Sequence, residues 1–211
     1  MKNVLLISFD LIRTGEAETS LSIASLLAFL KNDERYGSEF FVHHLPINLL
    51  KIANKASEIE AVLSVFDLER FDAVAISCYV WSEHLINPLT VKLREMGFRN
   101  KIILGGPQIS YSDQVTEEYP DCQIFISGYA EQALLEAILH SEPISSPLLF
   151  RNNTDLSRVP SVYKTGEIPL TEGQKMVRLE TKRGCPYRCS FLRSQGSEQQ
   201  QGSCLSQRQD S

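Results

Sequence analysis

Residues 101–108 read Lys-Ile-Ile-Leu-Gly-Gly-Pro-Gln, a short apolar run that stops at a glycine pair and a proline. Four apolar residues without polar alternation describe a strand buried on both faces, and Gly105, Gly106 and Pro107 describe the sharp turn that follows it. Working outward, the same unit recurs. Ala73-Val74-Ala75-Ile76 runs into Ser77-Cys78-Tyr79, and Ile124-Phe125-Ile126 runs into Ser127-Gly128-Tyr129-Ala130-Glu131. Upstream, Val4-Leu5-Leu6-Ile7 ends at Ser8-Phe9-Asp10, and Phe40-Phe41-Val42 forms a further run. Between the runs, apolar residues at helical spacing predict helices beginning at Leu21 and over about 55–66, 84–96, 113–119 and 130–139. Five strands alternating with five helices imply a doubly wound, flavodoxin-like parallel sheet of five strands, ordered 2-1-3-4-5.

Such a sheet takes its ligand in the crevice beyond the carboxyl ends of its strands. Residues 8–15, 77–82, 105–108 and 128–131 fall at those ends. Their glycines serve either tight strand-to-helix turns or the close approach of a ligand to the backbone. Composition favours small-molecule chemistry. The 211 residues carry 26 acidic against 21 basic side chains, a net charge of -5, which argues against a broad nucleic-acid or anionic-membrane footprint. No apolar run approaches the roughly 18 residues of a membrane span. The first residues lack a secretory signal, and five cysteines, an odd number without paired spacing, fit a reducing compartment, so a cytoplasmic protein is expected.

Several familiar chemistries lack their residues. A phosphoacceptor receiver needs Asp after the third strand and Lys after the fifth, where this chain has Ser77-Cys78 and Ser127-Gly128. Neither a P-loop, a G-x-G-x-x-G fingerprint nor a G-x-S-x-G elbow occurs. Cys78 and Cys122 lie in apolar runs and read as core, and His43, His44, His84 and His140 read as solvated or capping residues.

From 141 to 175 the pattern lapses into a proline-rich linker that includes Pro143, Pro147, Pro160 and Pro169. Residues 176–181, Met-Val-Arg-Leu-Glu-Thr, then read as one new strand. It runs into Lys182-Arg183-Gly184-Cys185-Pro186-Tyr187-Arg188-Cys189. Two thiols with three residues between them, in a loop after a strand, suit zinc or iron ligation, or are incidental.

The string from Glu180 to Phe191 resembles the cluster loop of radical S-adenosylmethionine enzymes, in which three cysteines spaced C-x-x-x-C-x-x-C hold a four-iron four-sulfur cluster. Residues 1–140 are similar to the cobalamin-binding domain that precedes many such cores. The resemblance implies Cys185 and Cys189 as metal ligands. It also implies Asp10, Gly15, Ser77, Tyr79, Gly105, Gly106, Gln108, Gly128 and Glu131 as the cobalamin-binding set. The division it implies is a cobalamin-binding domain over 1–140, a linker over 141–175, and the first strand of an incomplete radical S-adenosylmethionine partial barrel over 176–191. In the parent it implies S-adenosylmethionine and the 4Fe-4S cluster as cofactors, a small-molecule substrate, and an electron donor such as flavodoxin or ferredoxin. The reaction implied is methyl transfer or ring rearrangement at an unactivated carbon, with no nucleic acid and no membrane span.

The chain departs from that family at two places. Methionine-synthase-like cobalamin domains carry D-x-H-x-x-G after the first strand, and here Asp10 and Gly15 keep the spacing while Ile12 holds the histidine position. A corrinoid would bind without a protein imidazole on cobalt, with Tyr79, Val80 and Trp81 available to cover its open face. The third cysteine of the cluster loop falls at position 192, which is Leu192. Residues 193–211 then hold six Gln and five Ser, too polar to build a barrel. Codons exist for this stretch that, read one base later, give Cys-Ala-His-Lys-Asp-Leu-Asn-Asn-Asn and restore the missing cysteine. The expectation is a fragment of such an enzyme, truncated or frameshifted within the cluster loop and inactive as it stands. Two alternatives are a free-standing corrinoid-binding module or sensor without catalysis, and an interaction domain with a redox or zinc cysteine pair.

Overall fold

The structure, a computed structural model, describes residues 1–52, 56–151, 154–170, 172, 174, 176–183 and 203–204. Six parallel strands form one sheet: β1 (Lys2–Asp10), β2 (Phe40–Asn48), β3 (Ala73–Ser77), β4 (Lys101–Gly105), β5 (Ile124–Ser127) and β6 (Leu148–Arg151). Their order is β2-β1-β3-β4-β5-β6, every neighbouring pair parallel. The mixed α/β class and the order of the first five strands match the expectation from sequence. The count does not: the sheet has six strands, and the sixth comes from the stretch read as a linker.

Helices α1 (Leu21–Lys31) and α6 (Glu131–Leu139) cover one face, and α2 (Ala56–Leu63) and α3 (Glu83–Glu95) the other. Strand alternation sorts the core between them. Val4 and Leu6 of β1 pack with Ile23, Leu27 and Leu134, whereas Leu5, Ile7 and Phe9 pack with Ile59, Leu63 and Leu89. Burial on both faces is why the runs in the sequence are continuous rather than alternating. The helix expected over 113–119 is α5 (Val115–Glu118), and a further short helix not expected from sequence, α4 (Pro107–Tyr111), precedes it.

Residues 154–170 are packed rather than extended. Val162 and Ile168 close a small cluster against Ala24 and Ala28 of α1, and Lys31 pairs with Glu167 at 2.8 Å. Asp155 caps a 3-10 turn (Leu156–Arg158) by accepting from the Ser157 amide. The strand expected over 176–181 is absent: those residues take no regular structure. Pairing is confined to β7 (Lys182–Arg183), antiparallel to β8 (Ser203–Cys204). Among the described residues no helix is long and apolar enough to cross a membrane.

Candidate functional site

A cavity of about 700 Å³ opens at the carboxyl edge of the sheet, on the α1 and α6 face. Its size falls within the roughly 300–1,000 Å³ of small-molecule sites. The floor is apolar and supplied by four strands: Leu6, Ala75, Ile103 and Ile126. Leu21 and Ser22 at the start of α1 form one wall, and Ala130, Glu131 and Leu134 of the α6 side form another. The strand-end loops bring Ser77, Tyr79, Gly105, Gly106 and Gly128 to the rim. Leu179, Glu180, Thr181 and Arg183 close the remaining side.

Of the residues nominated from sequence for binding, Ser77, Tyr79, Gly105, Gly106, Gly128 and Glu131 therefore line one cavity. Asp10, Gly15 and Gln108 do not. Gln108 is turned to Glu83, donating from Nε2 to Oε2 at 2.6 Å. Gly15 makes a turn at φ +80°, with open space where a Cβ would be. Asp10 accepts from Ser8 Oγ at 3.1 Å, and burial raises its pKa against the pull of Ser8, Ser20 and Arg178. Cys185 and Cys189 lie outside the described residues.

Gly106 has a structural reason of its own. At φ +123° its backbone passes so close to β3 that a Cβ would sit 2.3 Å from the Cys78 carbonyl oxygen. Cys78 in turn donates its amide to the Gly105 carbonyl at 2.7 Å, which ties the loops after β3 and β4 together. Gly128, at φ +93°, donates its amide to Ser110 Oγ at 2.9 Å, and Ser110 donates to the Gly106 carbonyl at 3.2 Å. Ser110 thus stitches the β4 and β5 loops, a role invisible before the loops meet.

Two polar atoms at the site are buried without a hydrogen-bond partner among the described residues: Ser77 Oγ and Glu131 Oε2. Buried polar groups are nearly always satisfied, so such atoms mark places where structure is held back for something else. The other Glu131 oxygen is well used. It accepts from Ser25 Oγ at 2.8 Å and pairs with Arg183 Nη1 at 2.6 Å. Arg183 also reaches Ser25 Oγ at 3.0 Å and Glu180 at 2.9 Å, with its guanidinium 5.4 Å from the centre of the Tyr129 ring. Burial works against its charge, and Glu131 and Glu180 outweigh that, holding its pKa above the ordinary arginine value. Arg183 was not nominated from sequence; it lies 52 positions from Glu131, and only folding joins them.

At the rim, Tyr79 and Trp81 stack on each other at 4.6 Å, and they are anchored rather than free. Tyr79 Oη donates to Ser22 Oγ at 2.9 Å, and Trp81 Nε1 donates to the Phe9 carbonyl at 3.0 Å. Val80 stays exposed. Burial raises the Tyr79 pKa. Ile12 has its amide on Asn48 Oδ1 at 3.1 Å and offers no ligand to a metal. His44, read as solvated, is instead a half-buried partner of Ser8, with Nε2 2.9 Å from Oγ, and burial pushes its pKa down to about 4. Cys78 and Cys122 are core residues, their thiols pushed up by burial to about 11 and about 12, which keeps them protonated and unreactive. Among the described residues no group of three or more His, Cys, Asp or Glu side chains could hold a metal ion.

No protein-family model matches this chain, and no curated protein does. Among solved structures, apo OxsB, a cobalamin-dependent S-adenosylmethionine radical enzyme, matches with a TM-score of 0.60 at 18% sequence identity, over 98% of this chain and 30% of that chain. The N-terminal domain of a hypothetical protein from Thermotoga maritima matches at a TM-score of 0.34 with 19% identity, over 46% of this chain and 72% of that chain, which carries no argument. The likeness to OxsB is one of fold, and the chain spans about 30% of the length of that enzyme. The class defined here is a parallel α/β domain with a cavity at the carboxyl edge of its sheet.

Proposed function

We propose that this chain binds a corrinoid in the crevice, as the amino-terminal part of a cobalamin-dependent radical S-adenosylmethionine enzyme. One observation carries the reading: the cavity gathers six of the nine residues that the sequence resemblance assigns to cobalamin, from loops scattered over 55 positions. The shared fold with OxsB supports it.

The donor set suits the group. An apolar floor that includes the small Ala75 accepts a flat heteroaromatic base, and Ser77 Oγ supplies a hydroxyl without a partner among the described residues. Gly105, Gly106 and Gly128 keep the rim low for a large ring, and Tyr79 with Trp81 offers a fixed aromatic edge beside it. Ile12 supplies no imidazole, so a bound corrinoid would take no histidine ligand from that position. A bound corrinoid would supply a cobalt able to carry a methyl group, in keeping with methyl transfer or ring rearrangement at an unactivated carbon of a small molecule.

The residues do not fit a complete iron–sulfur cluster site. Cys185 and Cys189 supply two thiolates and Leu192 stands where the third belongs. Two thiolates are too few to hold that cluster, and we infer an inactive, truncated or frameshifted form of the parent. Leu192 equally favours a second reading, a corrinoid-binding module or sensor that works without the cluster.

The test is uptake of hydroxocobalamin by the purified chain, followed by desalting. Colour retained in a 1:1 complex, and after one-electron chemical reduction a cob(II)alamin EPR spectrum lacking an axial nitrogen splitting from the protein, is the expected result. A colourless protein after desalting overturns the reading. Resequencing the gene across codons 185–211 separates the two forms: a third cysteine in a continuing open frame makes this a fragment of the enzyme, and the frame as given leaves the module.

A further inference from the structure

We propose that residues 179–183 form a strap across the crevice and that the Glu131–Arg183 ion pair is its latch, so that the cavity is entered when this pair opens. The ligand named in the test rests on the corrinoid reading above; the latch itself does not.

The strap supplies one whole side of the cavity, through Leu179, Glu180, Thr181 and Arg183. Apart from the two-residue pairing of Lys182–Arg183 with Ser203–Cys204, its backbone joins no sheet. Residues 176–181 join no strand or helix, and Met176, Val177 and Leu179 remain largely exposed, so apolar burial contributes little. Polar anchors must carry it, and they fall at two points. At the near end, Tyr163 Oη donates to the Arg178 carbonyl and Arg178 pairs with Glu16 at 2.9 Å, with the arginine side chain 38% exposed. A pair so exposed to water holds weakly. At the far end, Arg183 and Glu131 have side chains only 10% and 3% exposed, and Ser25 bridges both.

The asymmetry gives the latch its force. Glu131 opens α6, where the helix dipole favours its charge, but it is buried, and its second oxygen has no hydrogen-bond partner among the described residues. Removing Arg183 would leave that carboxylate uncompensated, an arrangement proteins strongly disfavour. Closure is therefore the resting state. Opening disturbs residues 176–181, which have no sheet pairing, and the two-residue ladder of β7 with β8, and it leaves the six-stranded sheet intact, so it is a local event rather than global unfolding. A ligand must wait for that minor state, and its apparent affinity falls by the fraction of time the strap is closed.

The experiment uses the whole 211-residue chain as wild type, Arg183→Gln, Glu131→Gln and the milder Ser25→Ala. Trypsin cleavage after Arg178 reports strap opening without any ligand, since cleavage tracks the open population when reclosing is fast. Both charge variants should be cut at least about tenfold faster than wild type and Ser25→Ala a few-fold faster, with melting temperature showing that the sheet remains folded. The double variant should be no faster than either single one, because the pair acts as a unit. Stopped-flow mixing of hydroxocobalamin with Arg183→Gln should show association accelerated in parallel; Glu131 belongs to the proposed binding set, so Glu131→Gln is read by cleavage alone. Unchanged cleavage after Arg178 in folded charge variants overturns the latch. Faster cleavage with unchanged association overturns its role as the gate. A wild type that takes up no hydroxocobalamin sinks the corrinoid reading, and the cleavage rates still decide the latch.

Discussion

The two ends of the parallel sheet are built on opposite principles. At the amino edge, polar groups are saturated. Lys2 Nζ donates to the carbonyls of Ile138, Leu139 and His140, and Lys101 Nζ to those of Ala137, Ile138 and His140, so two cations share the end of α6. Arg94 donates to the carbonyls of Phe98, Asn100 and Asp121 and to Gln123 Oε1, tying the approaches to β4 and β5. At the carboxyl edge, positive-φ glycines lower the rim, a cavity remains, and Ser77 Oγ and Glu131 Oε2 have no partner among the described residues. One edge is closed and holds the fold, and the other leaves a cavity and two buried oxygens without a partner among the described residues, at the edge where parallel strands deliver their loops.

Substitutions at the two edges should break this contrast or sharpen it. The largest effect is expected at Gly106→Ala, whose Cβ would meet the Cys78 carbonyl at 2.3 Å in a backbone conformation that L residues avoid. A loss of about 4 kcal/mol or more in urea unfolding is expected there, against about 1–2 kcal/mol for Gly15→Ala, where only the backbone angle is unfavourable. Equal losses would mean that the loops after β3 and β4 are not locked together. Next comes Arg94→Ala, which abandons four acceptors at the closed edge. It should cost about 2–3 kcal/mol of stability and leave hydroxocobalamin uptake unchanged.

A smaller, pH-dependent effect belongs to Lys101. Burial, with help from Lys2, brings its pKa down from 10.5 to about 8 in the folded protein, although Asp72 pulls the other way. Between about pH 8 and 10.5 this site binds more protons in the unfolded chain than in the folded one, so its own contribution to stability rises with pH across that window, while the buried thiols of Cys78 and Cys122 work in the opposite sense above about pH 9. The rise is therefore read as a difference: from pH 7.5 to 10.5 the urea midpoint of wild type should gain on that of Lys101→Met. The smallest change in stability is expected at the open edge. Ser77→Ala removes a hydroxyl without a partner among the described residues, so stability should shift by no more than about 0.5 kcal/mol while hydroxocobalamin affinity falls about tenfold. A stability loss larger than that of Arg94→Ala would invert the comparison.

Much of the fold was legible because the signals are local. Continuous runs such as 73–76 and 102–104 declare doubly buried strands, and the Gly105-Gly106-Pro107 turn declares where one ends. β6 escaped because Leu148–Arg151 is four residues long, alternates half-buried with exposed positions, and becomes a strand only by pairing with β5 along Ile124 to Ser127. For residues 176–181 the error ran the other way: β-favouring residues predicted a strand, but no partner is offered to them in the sheet, and propensity without a partner does not make a ladder.

The site divides in the same manner. Sequence by itself determined the α/β class, the order of five strands and the edge at which a ligand would sit, because hydrophobic period and glycine placement act over a few residues. It also showed Ile12 and Leu192 at the positions where the families this chain resembles carry a cobalt ligand and a cluster ligand. Tertiary structure alone decided which nominated residues share a cavity, turned Gln108 away to Glu83, made His44 a partner of Ser8, and brought Arg183 onto Glu131. Those choices depend on groups tens of residues apart meeting in a low-dielectric interior, where an ion pair or an unsatisfied oxygen has consequences that no local pattern encodes.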